Sequence, residues 1–182
     1  MGPGSSRHSL TALTDNIESR HSPHVHRARL GLDPVAAEPV TSPLEFAEPG
    51  NMRRWLVGLV IDGHKRATAG LMADYEAEGE SIEEVGDLQT VVDDDGLPVA
   101  DVVVTEVRIV QLADVPWEFV EAENEGDVSL ADWRAGHEAY WESVGCHVDD
   151  DTLVVLVWFE LTQVHRDWPI PRVPRNAVDI LN

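Results

Sequence analysis

Leu153 to Leu161 reads LVVLVWFEL, nine residues with one charge among them, and it limits the fold more than any other stretch. A strand with one wet face alternates polar and apolar positions. A run this continuous predicts a strand within Asp151–Val164 that is buried on both faces, hence a sheet covered on each side. Leu88–Val92 and Val99–Leu112 are rich in Val and Ile and flank Asp93-Asp94-Asp95-Gly96-Leu97-Pro98, the pattern of a hairpin. The aspartates are not followed by the Glu that closes an EF-hand calcium loop, so they read as a solvated turn.

In NMRRWLVGLVIDG, Met52, Trp55, Leu56, Leu59 and Val60 repeat as one face of an amphipathic helix, with Asn51 as N-cap and Gly63 as the residue that ends it. Arg66–Met72 then reads as a strand, and ADYEAEGESIEEVGD as an acidic loop closing on Val85-Gly86-Asp87. Ser129-x-x-Asp132 is a capping box that opens a second helix, whose buried face is Trp133, His137, Tyr140, Trp141 and Val144. Helix, strands, helix and strand, joined mostly by antiparallel hairpins, predict an α+β domain with a curled, barrel-like sheet. That domain spans residues 44–164. Residues 1–43, without sustained periodicity, read as a disordered leader, and residues 165–182, with DWPIPRVPRN, as an extended Pro-rich tail. His21, His24 and His26 lie in the leader, which offers no fixed coordination geometry for a metal.

The net charge is -21, and it is uneven: residues 1–30 carry four arginines against Asp15 and Glu18, leaving about -23 on the remainder. Such a body repels long duplex DNA or RNA, because non-specific binding rests on cationic side chains releasing counterions. A nucleoside or a short single strand feels little of that penalty. The single cysteine, Cys146, has no partner for an internal disulfide, and no apolar run approaches the ~20 residues of a membrane span. The simplest expectation is a soluble cytoplasmic protein.

Of 13 cationic residues 12 are arginine, and Lys65 is the only lysine. Arginine stays charged at ordinary pH, whereas burial can push a lysine towards the neutral form that takes a proton. Lys65 follows the helix end in DGHKRATAG, three residues before Thr68. In extended chain those positions point to opposite faces, so a working pair needs a bend or bulge. A threonine hydroxyl becomes a nucleophile when a neighbouring base accepts its proton, and a desolvated lysine can be that base. A carboxylate beside the lysine would position it, while also raising its pKa. No P-loop, dinucleotide fingerprint, nucleophile elbow or HExxH accompanies the pair, so no metal or cofactor is expected.

FAEPGNMRRWLVGLVIDGHKRATAGLMADYEAEGE, VGD, VVVTEVRIV and ENEGDVSLADWRAGHEAYW together resemble ASCH-domain proteins, members of the superfamily with a PUA-like β-barrel. The resemblance runs from about Leu44 to Val164 and rests on Gly63, Lys65 and Thr68, on Tyr75-Glu76, and on Glu125-Gly126 with Ser129 and Trp133-Arg134. It implies an RNA-related domain, and for one compact subgroup an amidohydrolase that releases acetate from N4-acetylcytidine through a Lys, a Thr and a Glu. These roles fall on Lys65, Thr68 and Glu125, with Glu121 and Glu123 alternating in the same segment. The chain departs from the subgroup in having Gly70 where an Arg follows the Thr by two positions, and Arg66 where a small hydroxyl residue follows the Lys. Another lineage of the family resembles a ribonuclease, so cleavage of single-stranded RNA, and non-catalytic binding of a modified nucleoside, stand as alternatives. Tyr75, Glu76, His64 and Arg134 are the candidate substrate contacts: Tyr75 to stack on a base, His64 at the pocket rim, Arg134 to meet a carboxylate or phosphate. Trp133, Trp141 and His137 read as core.

Overall fold

The computed structural model describes residues 41–169. The leader as far as residue 40, with His21, His24 and His26, and the tail from residue 170 lie outside the described residues. In chain order the elements are β1 (Ser42–Leu44), α1 (Asn51–Ile61), β2 (Ala67–Leu71), α2 (Met72–Glu78), β3 (Leu88–Val92), β4 (Pro98–Gln111), α3 (Trp117–Glu123), α4 (Leu130–Ser143) and β5 (Leu153–Val164). The strands form one sheet in the order β1-β3-β4-β5-β2, with β1 parallel to β3 and every other pair antiparallel. The sheet curls into a half-barrel flanked by the four helices.

The curl has a local cause. β4 and β5 pair from Ala100↔Val164 to Gln111↔Leu153, with a register shift at Asp101/Val102 that leaves Thr162 without a partner and one at Val104/Glu106 that leaves Thr105 without one. Such extra residues bend the strand and increase its twist. β5 is covered on both sides as its sequence demands, since Val154, Val155, Leu156 and Val157 are consecutive and all buried. Val154 and Leu156 pack with Ala67 and Leu71 of β2, Phe119 of α3, and Trp133 and Trp141 of α4. On the opposite face Val155 and Val157 meet Met72 and Tyr75 of α2, while Phe159 joins Trp55, Val57 and Val60 of α1.

Several local expectations are corrected. Asn51 is the first residue of α1, and Gly50, without a side-chain cap, precedes it. The acidic stretch after β2 is not wholly loop: Met72–Glu78 is helical and ends at Gly79, which has φ 69°. Met72 and Tyr75 lie three apart and pack on the sheet, and that contact organises a segment too short to show a period. α3 has no counterpart in the sequence reading. On α4, Trp133 and Trp141 are buried, whereas Tyr140 and Val144 are exposed, so the helix packs through a narrower face than its apolar pattern suggests.

The aspartate turn is structural rather than simply solvated. Asp93 is buried, accepts from the backbone of Asp95 and Leu97, and pairs with Arg166; Asp94 accepts from Gly50 N and Arg54. Arg53, also buried, donates to the carbonyls of Phe46, Ala47 and Asp93. Trp168 donates to the Arg54 carbonyl at 3.1 Å, so the first residues of the expected tail lie against α1. At the other end Ser42 and Pro43, allotted to the leader, form β1 with Leu44.

Candidate functional site

The C-terminus of α1 sets the position of Lys65. Gly63, at φ 73°, donates to the carbonyl of Val60 at 2.9 Å, and His64 donates to that of Leu59 at 2.8 Å. This pair of reversed bonds is a Schellman motif, and it needs a left-handed residue at Gly63. Lys65 N also donates to Leu59 O, at 3.0 Å, and Arg66 N donates to Ala122 O of α3, at 2.8 Å. Lys65 is thus fixed between the end of one helix and the end of another.

At the end of α3, Asn124 adopts φ 51° and caps the helix. Glu123 precedes that turn and Glu125 follows it, and both carboxylates reach the same ammonium. Lys65 Nζ lies 3.5 Å from Glu123 Oε1 and donates to Glu125 Oε1 more closely. Lys65 and Glu123 are each 1 % exposed, and Glu125 is 18 % exposed. The Trp133 indole donates to the other Glu123 oxygen. The Phe46 ring closes the far side, its centroid 5.5 Å from the Lys65 ammonium.

Charge follows from this packing. Burial alone would lower the Lys65 pKa, but Glu125 and then Glu123, by charge and by hydrogen bond, offset it and hold it above the usual lysine value. Of the two opposing effects that the sequence leaves open, the carboxylates prevail over burial, and Lys65 rests as an ammonium. Burial pushes the Glu123 carboxyl above the usual range; Lys65 opposes that shift and Glu125 adds to it.

The other candidates are spread around this cluster. Thr68 is half-buried in β2, paired with Val157, and β2 runs without a bulge from Ala67 to Leu71. Ala67, Ala69 and Leu71 pack towards α3 and α4, so by strand alternation Thr68 and Gly70 face α2. No hydrogen bond joins Thr68 to Lys65 among the described residues. Tyr75 sits on α2, where its hydroxyl donates to Glu83 at 2.9 Å beside a cleft of about 760 Å³ that Asp74, Glu78 and Gln89 also line. Glu76 is exposed on the same helix, and His64 is exposed beside Lys65. The Arg134 guanidinium is engaged by Glu138 and Asp150, each at 2.6 Å.

The family model for the ASCH domain matches residues 43–163. An ASCH domain from Lactobacillus crispatus JV V101 is 31% identical, with a TM-score of 0.59 over 68% of this chain and 80% of that one. The chain belongs to the ASCH family. A protein from Enterococcus faecalis V583 shares the fold, with a TM-score of 0.61 and 24% identity over 68% of this chain and 77% of its own. Comparison with the curated proteins finds no match. The ASCH domain belongs to the PUA-like superfamily, and its family is associated with RNA binding or hydrolase activity. No helix among the described residues is long and apolar enough to cross a membrane.

In this ASCH domain the departure at Gly70 has a spatial counterpart. A Cβ at Gly70 would lie 3.2 Å from Tyr75 Cε2, so the tyrosine ring packs closely against the backbone at this position. Two residues of the cluster were named in the sequence without being assigned to it. Glu123 was one of three alternating acids, and the signal that separates it is its place on the buried side of α3, with Phe119, Val120 and Ala122. His137 read as core, yet it is 17 % exposed and turns Nε2 towards Glu123 at 3.6 Å.

Proposed function

We propose that this ASCH domain is a small amidohydrolase that cleaves an N-acylated nucleoside such as N4-acetylcytidine. One observation carries the reading: the only lysine of the chain is sealed from solvent between two glutamates. Taking an ammonium out of water is costly, and ionisable groups held this way with specific partners concentrate at reactive sites.

Thr68 Oγ1 attacks the amide carbonyl carbon. Its proton passes to Lys65 after Lys65 has given one of its own to the carboxylate pair, where Glu123 has the raised affinity for it and Glu125 orients the amine. Lys65 then protonates the departing exocyclic nitrogen as the carbon–nitrogen bond breaks, leaving an ester on Thr68. Water, deprotonated by the same groups, cleaves that ester to acetate and free threonine. The sum is amide plus water to amine plus acid. At rest β2 has no bulge and Thr68 faces α2, so the scheme requires the Lys65–Thr68 segment to shift when substrate binds, bringing the hydroxyl to the amine. His64, exposed beside Lys65, and Tyr75, Glu76 and Arg134 are the proposed substrate contacts. Quenching a reaction and mapping acyl groups by mass spectrometry tests the scheme: acetyl on the peptide holding Thr68, absent in Thr68→Val, is the expected result. No acylated residue despite turnover would overturn the covalent step.

A charged Lys65 without a bond to Thr68 favours a second reading, a module that binds a modified nucleoside or short single-stranded RNA without turnover. Binding lost in Lys65→Met, with no product formed by the wild type, would select it.

A further inference from the structure

His137 stacks on Trp133, ring centroids 4.2 Å apart and 28° between planes, and meets Trp141 edge-on at 5.3 Å. Its Nδ1 lies 3.1 Å from the Trp133 carbonyl, one turn back on α4. A carbonyl oxygen only accepts, so Nδ1 carries the hydrogen, and in the neutral ring Nε2 is a bare lone pair. That nitrogen faces Glu123 Oε2 at 3.6 Å. A lone pair facing an ionised oxygen is repulsive, so the arrangement calls for one proton between the two groups. Charge balance calls for the same proton. Lys65 with two ionised glutamates leaves one negative charge in a buried cluster, and a proton held by the His137–Glu123 pair cancels it. Asp127, between α3 and α4, also feels this cluster: burial raises its pKa, Glu125 adds to the shift and His137 opposes it.

We infer that His137 is a positioning residue for Lys65: acting through Glu123, it fixes the buried carboxylate and supplies the proton that balances the charge around the lysine. The inference deepens the hydrolase reading and rests on Lys65 being its working group. A proton taken up by the imidazole, whose edge reaches solvent, then lowers the negative charge felt by a lysine that solvent does not reach. The site reads pH at the surface of α4.

The test uses no substrate, so it separates from the failure of the hydrolase reading. Protein labelled with 13C,15N-lysine gives one side-chain signal set, because Lys65 is the only lysine. The Lys65 ε signals are expected to move in one step, at the same pH as the His137 ring signals. In His137→Gln that step disappears. Lys65 signals that stay flat while the His137 ring of the wild type titrates would overturn the inference, with no variant needed. So would a step that survives in His137→Gln, because Glu123 or Asp127 would then be its source.

Discussion

Lys65 Nζ stands 3.5 Å from Glu123 Oε1, and neither side chain is more than 1 % exposed. Two oppositely charged groups have thus left water together, and each depends on the other. Glu125, nearer the solvent, makes the closer contact and completes the cluster.

Lys65→Met removes the cation and leaves two carboxylates facing each other. Breaking a buried pair this way costs on the order of 3–5 kcal/mol, and urea unfolding should report a loss of that size. The triple variant Lys65→Met, Glu123→Gln, Glu125→Gln should recover most of it, because no uncompensated charge remains.

The pH dependence has a definite sign. Glu123 has its folded pKa raised above the ordinary 4.5, so its contribution to stability is fully present below that value and is lost as pH rises through the folded pKa. Asp93 and Asp101 shift the other way and contribute the opposite trend, so the difference between wild type and Glu123→Gln is the useful quantity. Measured by denaturation from pH 4 upward, that difference should move against the wild type as pH increases.

Trp133→Phe keeps the aromatic packing against Phe119 and deletes the indole donor to Glu123. A buried oxygen losing its donor costs about 1–3 kcal/mol. Trp141→Phe removes no bond to the cluster and should cost less in the same denaturation experiment.

Gly63→Ala tests how Lys65 is placed. A Cβ meets nothing within 4 Å there, so the penalty comes from the backbone alone, at φ 73°. A left-handed alanine costs roughly 1–2 kcal/mol. The Lys65 side-chain signals should shift with it, because the same motif sets the next two residues.

Much of this was legible in the chain. The run LVVLVWFEL demanded a strand covered twice, and β5 is that strand; Val-rich segments around a turn gave β3 and β4; the α1 period and Gly63 located Lys65. α2 and α3 were not legible, because each has seven residues and is organised by tertiary contact rather than by a repeating pattern. The choice among Glu121, Glu123 and Glu125 needed the geometry of a helix end, which places the last two on one ammonium. The charge state of Lys65 was open for a related reason: burial and carboxylates push it in opposite directions, and only their distances decide which prevails.

The central claim is that Lys65 and its carboxylates serve amide hydrolysis. Purified protein incubated with N4-acetylcytidine should release cytidine and acetate in equal amounts, with kcat/KM reduced at least ~100-fold in Lys65→Met, the scale of losing a proton-transfer group. Equal inactivity of wild type and Lys65→Met across a panel of N-acylated nucleosides would contradict it.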